Sequence, residues 1–170
     1  WILKMKKITK SNKNIFLKGI LPLLLLLSFI FNPLKVSAEV AETEINGELI
    51  NASSEFLRDL DFETWQLVAY KSSLYEDKLI LRVIGYPGNL RVDHPTELRV
   101  ESGRKQWLLE DKTLLNVELA NDRRQAAAEF DLDDLVKNID KNRPLRLSLS
   151  GVFSDLPVPP FVVKEWRSLS

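Results

Sequence analysis

Apolar and polar residues alternate with a period of two over much of the chain after residue 64. The alternation is clear in TWQLVAY (64–70), LILRVIG (79–85) and RPLRLSLSG (143–151). Turn chemistry separates such runs, as in YPGN (86–89), where proline presets φ and glycine permits a positive φ. Short strands at regular spacing are typical of a sandwich or barrel. We therefore predict an all-β fold, an antiparallel β-sandwich that is immunoglobulin-like in outline, with a partly open β-barrel as second choice.

Two segments depart from this period. Apolar residues take helical spacing over residues 132–139, which predicts one or two helical turns before the penultimate strand, with Asp131 or Asp133 as N-cap. Residues 54–60 also fit a short helix, capped by Ser54. We expect the sandwich to carry one short helix, between two strands, while residues 54–60 could open the domain with a short helical turn.

The chain ends in LPVPPFVVKEWRSL, which contains three prolines. Proline cannot donate a hydrogen bond to a sheet, so a central strand is excluded there. We expect residues 161–167 to form an edge or last strand. In that strand Phe161 and Val163 would point inward, and Trp166 would lie on the outer face.

The N-terminal residues resemble an export signal. The chain starts at Trp1, so Met5 is the better candidate for the initiator. A lysine-rich stretch, a short apolar run (20–31) and small residues before a cut after Ala38 make residues 1–38 a signal peptide. The alternative is an uncleaved anchor, although the apolar run is shorter than the ~20 residues of a membrane span.

After cleavage, residues 39–54 are expected to be a flexible lead, or a weak first strand around residues 48–51. Residues 55–170 are expected to be a single β domain, a size that suits one core. The seven lysines of residues 1–38 leave with the signal, so 17 basic residues remain against 24 acidic ones, a net charge of −7. That balance argues against nucleic acid as a partner, and no stable membrane span is expected after processing.

The single histidine, His94, lies in the stretch DHP. A general base needs an orienting partner, and Asp93 would point to the opposite face of a strand. Ser102 and Ser148 remain possible distant partners, but no G-x-S-x-G motif occurs. We expect a structural or surface role for His94. The alternative is a hydrolase or small-ligand-binding domain with a pocket near it.

Metal and cofactor chemistry have little support in the sequence. One histidine and no cysteine exclude an ordinary structural zinc site. Four aspartates near residues 131–140 could offer oxygen ligands to calcium, but they lack the glycine and terminal glutamate of an EF-hand loop. We predict no cofactor and no metal.

Exposed aromatic and basic residues give a candidate interaction site. Tyr86 lies at a predicted turn tip, and Trp166 is expected on an outer face. Tyrosine, tryptophan and arginine dominate protein-binding hot spots. The candidate partner-binding residues are Tyr86, Arg91, His94, Trp166 and Arg167. The alternative is a terminal strand covered on both faces.

Several stretches also carry a resemblance: WQLVAY, LRVIGYPG, DHP, AAAEFDL, RPLRLSL and VPPFVVKEWRSL. Together they resemble a family of exported cyanobacterial proteins of unknown function, over about residues 55–170. The resemblance implies a periplasmic or thylakoid-lumenal location, and it implies no activity or cofactor. We therefore expect an exported, non-enzymatic β domain that binds an unidentified protein partner as an accessory or assembly factor.

Overall fold

The structure is a computed structural model that describes residues 40–45 and 48–170. The strands in these residues form two antiparallel sheets. The five-stranded sheet has the order β1-β2-β3-β4-β7, and the four-stranded sheet has the order β6-β5-β8-β9. The strands of the first sheet are β1 (Ala41–Ile45), β2 (Glu48–Arg58), β3 (Thr64–Ser72), β4 (Lys78–Ile84) and β7 (Ala127–Asp131). Those of the second are β5 (Leu98–Ser102), β6 (Lys105–Leu109), β8 (Leu145–Leu149) and β9 (Phe153–Val158).

Within residues 48–170, three α-helices and two 3₁₀ turns connect or follow these strands. The helices are α1 (Val117–Ala120), α2 (Asp133–Asn138) and α3 (Pro160–Leu169), and the 3₁₀ turns are Ser73–Tyr75 and Thr113–Leu115. Helix α2 confirms the helical turns predicted before the penultimate strand. The predicted N-cap is wrong, because Leu132 takes that position and Asp133 is the first helical residue. The Asp133 backbone N–H donates to the Asp131 side chain at 3.1 Å, so Asp131 still satisfies a donor at the start of α2.

The main core lies between the two sheets. Alternate side chains of β3, β4 and β7 point inward and meet alternate side chains of β5, β8 and β9, which is the arrangement that period-two alternation produces. Burying one such leucine or valine stabilises the fold by roughly 1.5–3 kcal/mol. The predicted all-β sandwich is therefore confirmed, in two separate sheets rather than in the barrel of the second choice.

Trp65 shows how closely this core is packed. Its ring is tilted against that of Phe153, with 4.9 Å between the ring centroids. A Cβ atom placed on Gly85 would lie 2.4 Å from the Trp65 ring, closer than any real contact. Gly85 is therefore required at the end of β4 because the indole occupies the space that a side chain would need.

The C-terminal segment is a helix, so the predicted last strand at residues 161–167 is wrong. Pro160 takes the first position of α3, where a helix tolerates proline. Val162, Val163, Trp166 and Leu169 recur at helical spacing and pack into the main core. Trp166 is 1% exposed and Phe161 is 42% exposed, which reverses the predicted orientation of both side chains.

The start of the domain is also extended. The helix predicted over residues 54–60 is wrong, because residues 48–58 form β2 and pair with β3 over Ala52 to Arg58. The region expected to be a flexible lead or a weak first strand contains β1 and the first part of β2, paired with each other. Pairing of residues 52–58 with β3 explains why this part of β2 stays extended despite helix-compatible spacing in its sequence.

The predicted signal peptide and the cut after Ala38 lie outside the described residues. Among the helices of the described residues, none is long and apolar enough to cross a membrane.

Candidate functional site

A buried carboxylate, Glu129, is the centre of a polar cluster on the outer face of the five-stranded sheet. It lies in the middle of β7, opposite Arg82 of β4. Its side chain points away from the main core, because its neighbours Ala128 and Phe130 point inward. It is nevertheless fully buried, and a buried charge is costly unless it is paired and hydrogen-bonded.

Four side chains satisfy this carboxylate. Arg82 contacts Oε1 through Nε at 2.8 Å and through Nη2 at 2.6 Å. Tyr75 donates its hydroxyl to Oε2 at 2.5 Å, and Asn116 donates Nδ2–H to the same oxygen at 3.2 Å. Tyr70 donates its hydroxyl to Oε1 in a short hydrogen bond. The group is thus a fully hydrogen-bonded buried ion pair, an arrangement that holds the elements around it in place.

The backbone at Glu129 fixes the segment above it. The Glu129 N–H donates to Thr113 Oγ1 at 2.9 Å, and the Lys112 N–H donates to the Glu129 carbonyl at 2.8 Å. These bonds dock residues 112 and 113 against the otherwise open edge of β7. We call residues 113–120 the cover segment, because they lie over the Glu129 cluster.

The two tyrosines keep their protons in this setting. Burial raises the pKa of Tyr70 far above its usual range, and the adjacent Glu129 carboxylate raises it further. The pKa of Tyr75 is raised for the same two reasons. Both hydroxyls therefore act as hydrogen-bond donors at neutral pH and not as phenolate nucleophiles.

In the first five residues of the cover segment, 113–117, the polar side chains are buried and the apolar side chains are exposed. Thr113 and Asn116 are buried against Glu129. Leu114, Leu115 and Val117 point outward, and Val117 is 70% exposed. This is the reverse of the pattern that a surface segment shows when its only role is to cover a core.

Leu74 extends this exposed apolar surface from the neighbouring 3₁₀ turn. Leu74 and Leu115 line a cleft of about 260 Å³, whose wall includes Tyr75. Two lysines border the cleft, and both are paired: Lys78 with Asp131 at 2.8 Å, and Lys112 with Glu110 at 2.7 Å. We call the four exposed apolar residues Leu74, Leu114, Leu115 and Val117 the leucine patch.

His94 is held by a partner that the sequence analysis did not identify. Its Nδ1 lies 2.5 Å from Oδ2 of Asp111, and the Thr96 N–H donates to the same oxygen at 2.8 Å. Oδ1 of Asp111 accepts from the Thr113 N–H at 2.9 Å. Asp111 follows the end of β6 and was missed because nothing in the sequence indicates that this loop reaches the DHP stretch.

The serines considered as distant partners of His94 bind elsewhere. Ser102 donates to the Pro144 carbonyl at 3.2 Å, and Ser148 accepts from the Asp155 N–H at 3.1 Å. Four surface clefts of the described residues are lined by other groups, and His94 lines none of those four. The His94–Asp111 pair has the orientation of a dyad, but no nucleophile accompanies it among these contacts.

Asp111 is a strong acceptor in this position. Burial on its own would raise its pKa, but hydrogen bonds from Thr113, His94 and Thr96 outweigh burial and hold the pKa below its usual value. The ionised form is thus favoured, and it anchors the loop around His94 to the residue that begins the cover segment.

Tyr86, Arg91 and His94 belong to one loop, which is hydrogen-bonded to residues 125 and 126, between the cover segment and β7. The Gly85 N–H donates to the Ala126 carbonyl at 2.9 Å, and the Leu90 N–H donates to the Gln125 carbonyl at 3.2 Å. Tyr86 is 75% exposed and Arg91 is exposed. The structure therefore brings together three of the five candidate partner-binding residues, beside a surface that the sequence analysis missed.

The other two candidate residues lie apart from this loop. Trp166 is buried in the main core, so its predicted exposure is wrong, and its indole N–H has no acceptor. Arg167 donates from Nη1 to Asn142 Oδ1 at 2.7 Å. Glu165 of the same helix accepts a hydrogen bond from Ser53, which lies level with Leu81 in the sheet. Tyr86 follows Leu81 by five residues and lies beyond the end of β4 at Ile84.

Three of the four aspartates weighed as calcium ligands pair with lysines, among them Asp140 with Lys105 at 3.6 Å. Asp131 pairs with Lys78, and Asp133 pairs with Lys137 at 2.5 Å within α2. Across the described residues, no group of three or more histidine, cysteine, aspartate or glutamate side chains is arranged to hold a metal ion.

These features define an antiparallel β-sandwich with a second, polar core under an apolar surface segment. The family model described as "Protein of unknown function (DUF3122)" matches residues 38–169. The match covers most of the chain, so the chain belongs to this family, which confirms the resemblance to an uncharacterised family. No curated protein and no solved structure matches the chain.

Proposed function

We propose that this chain is an exported, non-enzymatic β domain that binds a protein partner through the leucine patch and the adjoining loop with Tyr86 and Arg91. One observation carries the proposal: the cover segment buries its threonine and asparagine and exposes Leu114, Leu115 and Val117. Exposure of these apolar side chains to water is unfavourable, so their burial in an interface would stabilise a complex. Because the domain is proposed to bind a partner without catalysing a reaction, we assign it a role as an accessory or assembly factor.

The surroundings of the patch favour a protein over a lipid surface. The bordering lysines are neutralised by Asp131 and Glu110, so no basic rim attracts anionic headgroups. The processed chain would carry a net charge of −7, which opposes binding to an anionic membrane. The Glu129 cluster beneath the patch holds it rigid, which lowers the entropy lost on binding.

Export is proposed from the sequence of residues 1–38, and the start of the family match at residue 38 is consistent with a cut after Ala38. The resemblance supports a cyanobacterial periplasm or thylakoid lumen as the destination. N-terminal sequencing of the exported protein should start at Glu39. A mature protein that still carries residues 23–31 would make the segment an anchor instead.

The binding proposal is tested with a matched pair of surface variants. Leu115→Ser changes the leucine patch, and Leu108→Ser changes an exposed leucine on β6 of the other sheet. Tagged exported protein is used to capture partners from the native source, and affinity for each captured protein is then measured with purified components. We expect Leu115→Ser to weaken binding by about tenfold or more, and Leu108→Ser to leave it unchanged. Equal binding by both variants would remove the leucine patch from the proposal.

A hydrolase or small-ligand-binding domain near His94 is the second candidate, and the His94–Asp111 contact favours it. An aspartate that binds Nδ1 orients a histidine for proton transfer at Nε2. Ester hydrolysis by the purified protein that is lost in His94→Gln and in Asp111→Asn would support this candidate. Activity that survives both variants, or that is absent from the wild type, would leave His94 a structural residue.

A further inference from the structure

The hairpin tip between β2 and β3, residues 59–63, is a rigid loop. Asp59 is buried, and its Oδ1 accepts the backbone N–H groups of Asp61 at 3.0 Å and Glu63 at 2.9 Å. Its Oδ2 accepts Nε1–H of the core residue Trp65 at 2.8 Å. The tip is therefore fixed to the main core through one carboxylate.

This rigid tip presents two large apolar side chains to solvent. Phe62 is 79% exposed, and Leu60 is exposed as well. The backbone of Phe62 has φ = +64°, in the left-handed region, which costs an L-residue roughly 1–2 kcal/mol. A strained backbone and an exposed phenylalanine both oppose stability in the isolated domain, so a role outside folding accounts for the pair better than packing does.

Unpaired acids lie next to this apolar tip. Asp61 and Glu97 line a cleft of about 450 Å³, together with Arg99 and the turn at residues 148–154. Arg99 is paired with Glu101. In the described part of the chain, no ion pair involves Asp61, Glu63 or Glu97. The cleft therefore has a net negative potential that a cation would lower.

We propose that the hairpin tip and this cleft bind a cationic, apolar peptide segment of a protein partner. Leu60 and Phe62 contact the apolar side chains of that segment, and Asp61 with Glu97 pairs with a lysine or arginine beside them. The tip joins β2 and β3, whereas the cover segment lies over β7, so this second surface does not depend on the leucine patch. A lipid surface fits less well, because Asp61 and Glu63 flank Phe62 and repel anionic headgroups.

Two synthetic peptides test the proposal directly. Both are about twelve residues long with the same leucine–phenylalanine centre, flanked in one by lysines and in the other by glutamates. Binding to the purified protein is measured by fluorescence anisotropy at two salt concentrations. We expect the lysine peptide to bind about tenfold more tightly than the glutamate peptide, and its advantage to shrink at high salt.

Variants of the tip separate binding from folding. Asparagine tolerates the left-handed region, so Phe62→Asn should leave the melting temperature unchanged or raise it, while it weakens binding of the lysine peptide about tenfold. Asp61→Asn should weaken binding of that peptide and reduce its salt dependence. Leu115→Ser serves as control and should bind the peptide as the wild type does, which keeps this test distinct from that of the leucine patch.

Three outcomes would overturn the proposal. The first is equal affinity for the two peptides, and the second is unchanged binding by a folded Phe62→Asn protein. The third is Phe62-dependent binding to phosphatidylcholine vesicles, with or without phosphatidylglycerol, in the absence of peptide binding, which would assign the tip to a lipid surface.

Discussion

The two faces of the five-stranded sheet are covered in opposite ways. The inner face is buried by apolar side chains of the second sheet and of α3. The outer face is covered near β7 by a segment that buries a glutamate, two tyrosines, an asparagine and a threonine. The inner core is stabilised by the apolar surface area removed from water, and this effect does not depend on the direction of individual contacts. The outer core combines this hydrogen-bonded cluster with a smaller apolar cluster of Ala52, Val68, Ile80 and the two tyrosine rings. Its buried polar groups depend on every hydrogen bond being made.

The comparison shows why one core can be recognised locally and the other cannot. Inward-facing leucines follow from alternation within a single strand. The outer core needs residues from positions 70, 75, 82, 113, 116 and 129, which only the folded chain brings together. Its surface consequence, the leucine patch, also appears only once the fold is known.

The largest effect is expected from the inner core, at Trp166. Trp166→Ala should destabilise the protein by about 3–5 kcal/mol, because a fully buried tryptophan leaves a large cavity. Phe161→Ala should cost less than about 1 kcal/mol, since that side chain is substantially exposed. Urea unfolding of both variants measures the difference. A larger loss for Phe161→Ala would contradict the helical placement of the C-terminal segment.

The outer core is broken most directly at Glu129. Glu129→Gln should destabilise the protein by about 3 kcal/mol, at the lower end of the cost of breaking a buried ion pair, because Arg82 keeps some contact with solvent. Adding Arg82→Met to Glu129→Gln removes the charge left unpaired and should recover part of that loss, since the glutamine still offers an oxygen to the tyrosine hydroxyls. Chemical denaturation of the three proteins provides the measurement. A double variant less stable than Glu129→Gln would mean that the unpaired charge of Arg82 is not the source of the loss.

The link between the His94 loop and the cover segment should depend on pH. The folded-state pKa of Asp111 is depressed below its unfolded value of about 3.9, so its contribution is present above that pH and is lost as pH falls through the folded pKa. Asp111→Asn should cost about 1.5–3 kcal/mol at pH 7, and the gap to wild type should close in more acidic solution. A gap of constant size between neutral and acidic pH would show that ionised Asp111 is not responsible.

The smallest effect on stability is expected at Tyr75, in the outer core, where ionisation of the tyrosines can be followed by absorbance. The folded-state pKa values of Tyr70 and Tyr75 are raised, so the stability tied to their protonated forms is complete below about pH 10 and is lost as pH rises beyond it. Absorbance at the tyrosinate band should show less ionisation in folded than in denatured protein at about pH 10.5. Tyr75→Phe should cost about 1 kcal/mol and reduce that difference by about half. An identical titration of folded and denatured wild type would contradict the buried cluster.

The candidate site was predictable only in part. Tyr86 at a turn tip was identified correctly as exposed, because YPG has local turn chemistry. Asp111, the residue that binds His94, was missed, since its approach depends on the return of the chain after β6. The leucine patch was missed as well, because TLLNVELA gives no sign of which side is buried until Thr113 and Asn116 meet Glu129.

The sequence by itself determined the sandwich, the inward residues of its alternating strands and the helical turns before β8, because each depends on side-chain periodicity over a few neighbouring residues. Tertiary structure decided the rest. Val162, Val163 and Trp166 suit a strand or a helix over so short a run, and packing on β2 and β3 selected the helix. From the pattern of its strand alone, Glu129 would be taken as an exposed acid. Its burial depends on partners from distant positions in the chain, and no local sequence pattern shows what those partners contribute to the free energy of folding.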